Sequence, residues 1–319
     1  MELRKDYILN RWVVISEGRA KRPIELVKKR AKKNEVCFFC LGNEKLTPPE
    51  IYRVEEKGNW KVRVFPNKFA AVELAGQREI RTDNRFYTFS SAYGSHEILV
   101  ETPKHNKTMG QLDEENILSV LKTYKLRIEE MLCVEGIKYV TVFKNQGEAA
   151  GASLTHSHSQ IISLSFVPPE ITEKIDAIKK YQSCPYCDII NNEKNSYRRC
   201  FENDSFVSFT PYASRFNYEI MILPKNHITT FEKFEEKTFV DLASMMRKIL
   251  QKVEALTSSY NLVLFYSPKG EDLHFHIEVL PRIATWAGFE FDSGIEINTV
   301  SPEYAASYYR DEHDNIQRV

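Results

Sequence analysis

The sequence predicts an α+β fold of two tandem halves, each a mostly antiparallel sheet with flanking helices. Three observations lead there: a set of parts that occurs twice in the same order, a shared register inside the two copies, and one long helical stretch between β-like runs in each.

The first copy starts at Cys37-Phe-Phe-Cys40. A β-like run, Ser95-His-Glu-Ile-Leu-Val100, leads into Pro103-Lys104-His105, an amphipathic helical stretch runs from Leu112 to Met131, and the run Lys138-Tyr-Val-Thr-Val-Phe143 precedes His156-Ser-His158-Ser-Gln160. The second copy starts at Cys184-Pro-Tyr-Cys187. There Asn217-Tyr-Glu-Ile-Met-Ile-Leu223 leads into Pro224-Lys225-Asn226-His227, a helical stretch spans Glu235 to Leu256, and Leu262-Val-Leu-Phe-Tyr266 precedes His274-Phe-His276-Ile-Glu278.

The register agrees as well. Glu97 lies eight positions before His105, and Glu219 lies eight before His227. From that histidine to the His-x-His is 51 positions in the first copy (105 to 156) and 47 in the second (227 to 274). The expected division is a catalytic N-terminal half, residues 1–175, and a C-terminal half, residues 176–319, with Phe166-Val-Pro-Pro-Glu170 as the exit from the first. A single helix per half, set among hairpin-like strands, favours antiparallel pairing over a doubly wound parallel sheet.

Bulk properties exclude several functions. A chain of 319 residues fits two domains of about 100–200 residues. Lys and Arg number 44 against 44 Asp and Glu, without the basic excess of a nucleic-acid binder. The run Lys28-Lys29-Arg30 with Lys32-Lys33 reads as a solvated loop. No run of about 18 apolar residues is available to span a membrane. The opening MELRKDYILNRW lacks the apolar core of a secretory signal, so a cytoplasmic protein with reduced thiols is expected.

Reduced Cys-x-x-Cys pairs call for a metal. Such a turn points two thiolates at one tetrahedral ion, and zinc then takes two more ligands. Each half offers a histidine after a strand and another opening the His-x-His. The expected sets are Cys37, Cys40, His105 and His156, then Cys184, Cys187, His227 and His274. Four protein ligands close a site, so both zincs are expected to pin loops rather than bind substrate.

With His156 on the metal, His158 stands free beside it. Residues i and i+2 of a strand share a face, so His156, His158 and Gln160 line one side. A neutral imidazole is a nucleophile near pH 7. The preceding loop, Asn145-Gln-Gly147-Glu-Ala-Ala-Gly151-Ala-Ser153, has the glycines and donors to cradle phosphate oxygens. A His-x-His also suits two ligands of one open catalytic zinc, but the repeat assigns the first histidine to the closed site.

These residues resemble the galactose-1-phosphate uridylyltransferase family, a branch of the histidine-triad superfamily, over nearly the whole chain. The matching stretches are Arg11–Ser16 with Arg19-Ala-Lys-Arg22-Pro23, Phe65-Pro-Asn67-Lys68-Phe69-Ala-Ala71, Pro103–Thr108, Asn145–Gln160 and Trp286-Ala-Gly-Phe-Glu290. The resemblance implies two histidine-triad-like halves and a homodimer. It makes His158 the residue that forms a nucleotidyl-histidine, and Gln160 the group that hydrogen-bonds the phosphoryl oxygens and favours transfer over hydrolysis. Asn67, Phe69, Asn145, Gly151 and Ser153 would hold the nucleotide. Arg19 and Arg22 would meet the diphosphate from the other subunit, and Glu290 the hexose. The implied reaction moves UMP from UDP-glucose to galactose 1-phosphate.

The chain departs from the family's best-known members in three places. Ser157 and Ser159 replace a proline and a glycine around the nucleophile, Lys68 follows the asparagine of the uridine segment, and the second Cys-x-x-Cys is complete. The serine-bearing version also resembles ADP-glucose phosphorylases, which transfer AMP to phosphate. In the second half His276 holds the nucleophile position but Glu278 replaces the glutamine, so that site is expected to be silent. A rival of another class is a zinc-stapled binding module, against which the neutral charge and the Asn145–Gln160 loop both count.

Overall fold

The computed structural model describes residues 1–21 and 36–312. Strands β1 (Glu2–Lys5) and β2 (Trp12–Ile15) pair antiparallel at the start of the chain. β3 (Tyr52–Glu56) and β4 (Asn59–Pro66) form a hairpin, and a second short hairpin, β5 (Arg81–Asp83) with β6 (Tyr87–Phe89), stands apart with its residues exposed. Then come β7 (His96–Val100), helix α1 (Glu114–Leu132), β8 (Tyr139–Gln146) and β9 (His158–Leu164). Helices α2 (Pro169–Ile178) and α3 (Pro185–Glu193) lead into β10 (Arg199–Glu202), β11 (Phe206–Phe209) and β12 (Ile220–Pro224). The chain ends through α4 (Glu236–Leu256), β13 (Tyr260–Phe265), β14 (His276–Pro281), α5 (Gly288–Ser293), β15 (Glu296–Asn298) and α6 (Pro302–Tyr309).

Ten strands make one sheet, in the order β10-β11-β12-β14-β13-β8-β9-β7-β4-β3. Read inward from either edge, the same parts appear: a hairpin, the strand before the ligand histidine, the strand after the His-x-His, and the strand before that motif. The sequence repeat is thus a pseudo-two-fold within a continuous sheet. The halves meet where β13 runs antiparallel to β8, with Tyr260 opposite Gln146 and Val263 opposite Phe143. The small sheet, β1-β2-β15, includes the parallel pairing of β2 with β15.

Apolar spacing makes α1 and α4 core helices. Ile117, Val120, Leu121, Tyr124 and Ile128 are buried on one, and Leu242, Met246, Ile249, Leu250 and Val253 on the other. Asp113 caps α1 by accepting from the Asn116 amide at 2.8 Å, and Lys122 of α1 pairs with Glu236 of α4 at 2.7 Å. The run expected from Asn217 starts as a strand only at Ile220. Before it, Tyr218 takes a left-handed φ of 62°, and the Asn217 amide donates to Thr299 Oγ1 at 3.0 Å. Among the described residues, no helix is long and apolar enough to cross a membrane.

Candidate active site and metal groups

The two expected metal sets are gathered as read. In the first, one ligand atom from each of Cys37, Cys40, His105 and His156 lies within 4.8 Å of the other three. His156 Nδ1 is 3.4 Å from Cys37 Sγ and 3.7 Å from Cys40 Sγ, and His105 Nδ1 is 3.4 Å from Cys40 Sγ. His156 donates its Nε2–H to the Thr102 carbonyl at 2.7 Å, which leaves the Nδ1 lone pair facing the thiols.

The second set, Cys184, Cys187, His227 and His274, repeats this arrangement. His274 Nε2 donates to the Pro224 carbonyl at 3.0 Å, and His227 Nε2 to Asp272 at 2.9 Å. Two thiols beside two oriented imidazoles fit a tetrahedral divalent cation. Burial, then the neighbouring thiol, pushes Cys40 up to about 11 and Cys187 up to about 12; a bound cation would reverse that and release the protons.

His158 opens β9, opposite Val100, with its side chain 5% exposed. Its Nδ1–H donates to the His156 carbonyl at 2.8 Å, so the ring presents an unprotonated Nε2. Burial is the main cause that holds the imidazole below its ordinary pKa and keeps it neutral at pH 7. Phe39, from the Cys-x-x-Cys turn, packs edge-on to both histidine rings, at 6.1 Å from His156 and 5.4 Å from His158.

Ser157 and Ser159 point to the opposite face, into a network that the sequence did not reveal. Ser157 donates to Glu101 Oε2 and Ser159 to Glu101 Oε1, each at 2.5 Å, and the Tyr124 hydroxyl of α1 donates to Ser159 at 2.6 Å. Lys144 donates to Glu101 at 2.9 Å, to Ser157 at 2.9 Å and to the His158 carbonyl at 3.2 Å. Glu101 and Lys144 are both 0% exposed. Burial pushes the Glu101 carboxyl up, but Lys144 and the two hydroxyls outweigh it and hold the group below the usual range. Changing Lys144 to Met would strand that carboxylate in the core. A loss of about 3–5 kcal/mol in stability is expected, read by denaturant unfolding of the two proteins.

The phosphate-loop candidates sit between β8 and β9. Gly147 has φ 77°, and a Cβ there would lie 2.3 Å from the Ser258 carbonyl, so only glycine fits. Gly151, with φ 83°, closes the helical turn Glu148–Ala150. Asn261 of the second half donates to Asn145 Oδ1 at 2.8 Å and to the Ala150 carbonyl at 2.9 Å, and so fixes the loop from across the β13–β8 seam. Gly151 and Ser153 are exposed. Asn67 and Phe69 follow β4; Asn67 accepts from the Phe69 amide at 2.9 Å, and the Phe69 ring is 83% exposed. Gln160 meets this segment through His96, which lies 2.8 Å from Gln160 Oε1.

Two expected substrate residues stand elsewhere. Arg19 is exposed in the turn after β2, and the small sheet bearing it is tied to the second half. Arg4 reaches Glu303 at 3.0 Å and the Tyr212 carbonyl at 3.2 Å, and the Tyr7 hydroxyl donates to Glu193. Glu290, on α5 next to β15, accepts from the Ala287 amide at 2.9 Å. No described contact joins either residue to the His158 strand. Arg22 lies outside the described residues.

The second His-x-His is occupied by its own chain. His276 Nδ1 donates to the His274 carbonyl at 2.8 Å, as its counterpart does, but Lys174 of α2 donates to His276 Nε2 at 3.1 Å and to Glu278 at 2.8 Å. The ring is stacked between Tyr186 and Phe265, at 5.0 and 4.7 Å. Burial, then Lys174, pushes His276 down to about 3.

A family model described as galactose-1-phosphate uridyl transferase, N-terminal domain, matches residues 1–168, more than half of the chain. This chain belongs to the galactose-1-phosphate uridylyltransferase family. A second model, a domain of unknown function, matches residues 132–310. Among the family's curated relatives, an ADP-glucose phosphorylase of Arabidopsis thaliana is 34% identical over 97% of this chain and 92% of its own. A galactose-1-phosphate uridylyltransferase of Thermotoga maritima is 27% identical over 98% of each. The crystal structure of an Arabidopsis thaliana ADP-glucose phosphorylase with bound ADP-glucose superposes with a TM-score of 0.85 at 33% identity, covering 97% of this chain and 98% of that one. The chain is therefore a nucleotidyltransferase-family enzyme with the α+β fold expected of it.

Proposed function

We propose that the chain transfers UMP from UDP-glucose to galactose 1-phosphate through a covalent bond to His158. The observation that carries this reading is the Nε2 of a neutral, oriented imidazole, which has no hydrogen-bond partner among the described residues and follows in the chain a glycine-shaped loop that offers donors. Nε2 attacks the α-phosphorus, the bond to the β-phosphate oxygen breaks, and glucose 1-phosphate leaves with that electron pair. The ring keeps its Nδ1 proton, and the His156 carbonyl stabilises the positive charge that the phosphorus–nitrogen bond creates. A phosphate oxygen of galactose 1-phosphate then attacks the same phosphorus and returns His158 neutral. Gln160 donates to the phosphoryl oxygens, and Asn67, Phe69, Asn145, Gly151 and Ser153 hold the nucleotide.

Zinc, held by Cys37, Cys40, His105 and His156 and again by Cys184, Cys187, His227 and His274, would fix the carbonyl on which each neighbouring histidine leans. The halves 1–175 and 176–319 read as a duplication in which only the first performs chemistry. Asparagine at position 276 is accordingly expected to leave kcat/KM within about twofold of the parent, whereas a loss as large as that at position 158 would contradict the assignment. A homodimer, in which Arg19 and Arg22 of one copy reach the His158 site of the other, accounts for the exposed placement of Arg19 in the turn after β2, and Glu290 contacts the hexose. A cytoplasmic location follows the same reading of the thiols.

A second reading, adenylyl transfer from ADP-glucose to phosphate, is favoured by the higher identity to the Arabidopsis thaliana phosphorylase, 34% against 27% for the Thermotoga maritima transferase. Turnover assays with both donors, each offered galactose 1-phosphate or inorganic phosphate, separate them. UDP-glucose with galactose 1-phosphate is the expected productive pair; turnover confined to ADP-glucose with phosphate would overturn the base and acceptor.

A further inference from the structure

His96 opens β7, is 7% exposed, and lies between two parts of the site that are far apart in sequence. The Ala71 amide donates to its Nδ1 at 3.2 Å. A neutral imidazole has one ring proton, so that proton sits on Nε2, which faces Gln160 Oε1 at 2.8 Å. The Asn67 side-chain nitrogen lies 3.1 Å from Nε2 and 3.5 Å from Nδ1. Asn67 is attached to the same residue through its backbone, whose N–H donates to the His96 carbonyl at 2.8 Å.

The two ends of a glutamine amide have nearly the same shape, and only hydrogen bonds decide which way it points. A transferring phosphoryl group has acceptor oxygens alone, so an amide turned the wrong way presents oxygen to oxygen. His96 consumes the Gln160 oxygen and leaves the NH₂ as the face turned to substrate. Its other nitrogen is held by Ala71, in the segment assigned to the nucleotide.

We propose that His96 is a positioning residue that fixes the orientation of the Gln160 amide and ties it to the Asn67–Ala71 segment. This rests on the reading of Gln160 as the phosphoryl donor. His96 carries no signal in the sequence, because it falls inside a β-like run. It touches no reacting atom, and its effect passes entirely through Gln160.

The test is a double-mutant cycle on the single-turnover release of glucose 1-phosphate, with UDP-glucose as donor and ADP-glucose in parallel. His96→Phe keeps a ring in the cavity and loses both hydrogen bonds; if it fails to fold, His96→Asn, which is too short to reach Gln160, replaces it. The expected result is a rate about 10–100-fold lower with donor KM within about twofold, recovery to within about fivefold by His96→Gln, and less than about a twofold further effect in the Gln160→Ala background. Equal fold-losses in both backgrounds would mean that His96 only supports the strand, and would overturn the proposal. Full activity of Gln160→Ala alone would instead remove the donor role of Gln160, and the role of His96 with it.

Discussion

Replacement of His158 by asparagine is expected to lower kcat by about 10⁴-fold or more, with donor affinity nearly unchanged. Asparagine fills much of the ring's volume and keeps an amide that can meet the His156 carbonyl, so the strand and the neighbouring ligands stay in place. What it lacks is a nitrogen lone pair able to bond phosphorus. His158 offers that lone pair because its other nitrogen is committed at 2.8 Å and burial keeps it unprotonated. The check is steady-state turnover with binding of the donor measured separately by calorimetry. A loss of binding with kcat preserved would place the residue in recognition instead.

Loss of the first metal group has the next largest effect. Cys37→Ser removes one of four ligands and is expected to cost one equivalent of metal per chain, more than about 3 kcal/mol of stability, and activity at least about 100-fold. The activity loss follows from geometry, because His156 is both a candidate ligand and the residue whose carbonyl orients His158. Cys184→Ser is expected to lose an equivalent and stability of similar size, while the folded fraction keeps its kcat, since His276 is closed off by Lys174 and Glu278. Metal analysis, thermal unfolding and kcat on the same three samples decide this; equal activity losses in both variants would contradict the division of roles.

Both metal groups were legible in the sequence because Cys-x-x-Cys spacing is local and the repeat supplied the distant histidines twice. Helices α1 and α4 were legible from apolar period, each starting within two residues of expectation. The union of the halves was not legible. Pairing of β13 with β8 leaves no local signature, and Asn261, which holds Asn145 from the far side, is invisible without it. Ser157 and Ser159 read as departures from a family pattern; their reason is Glu101 and Lys144, 56 and 13 positions from Ser157 in sequence. Glu101, in the polar strand exit Glu101-Thr102-Pro103-Lys104, stayed hidden as well, because a buried carboxylate reveals itself only through its partners. Arg19 was placed across the subunit boundary by resemblance alone; in a single chain it lies in the turn after β2, and Glu290 lies on α5 next to β15.

A covalent nucleotidyl-His158 is visible to intact-protein mass spectrometry after incubation with UDP-glucose, and separately with ADP-glucose. The expected result is an adduct of one UMP per chain that is chased off by galactose 1-phosphate and is absent from the His158→Asn protein. No nucleotide adduct with either donor, from metal-replete protein that turns over in the same buffer, would contradict it.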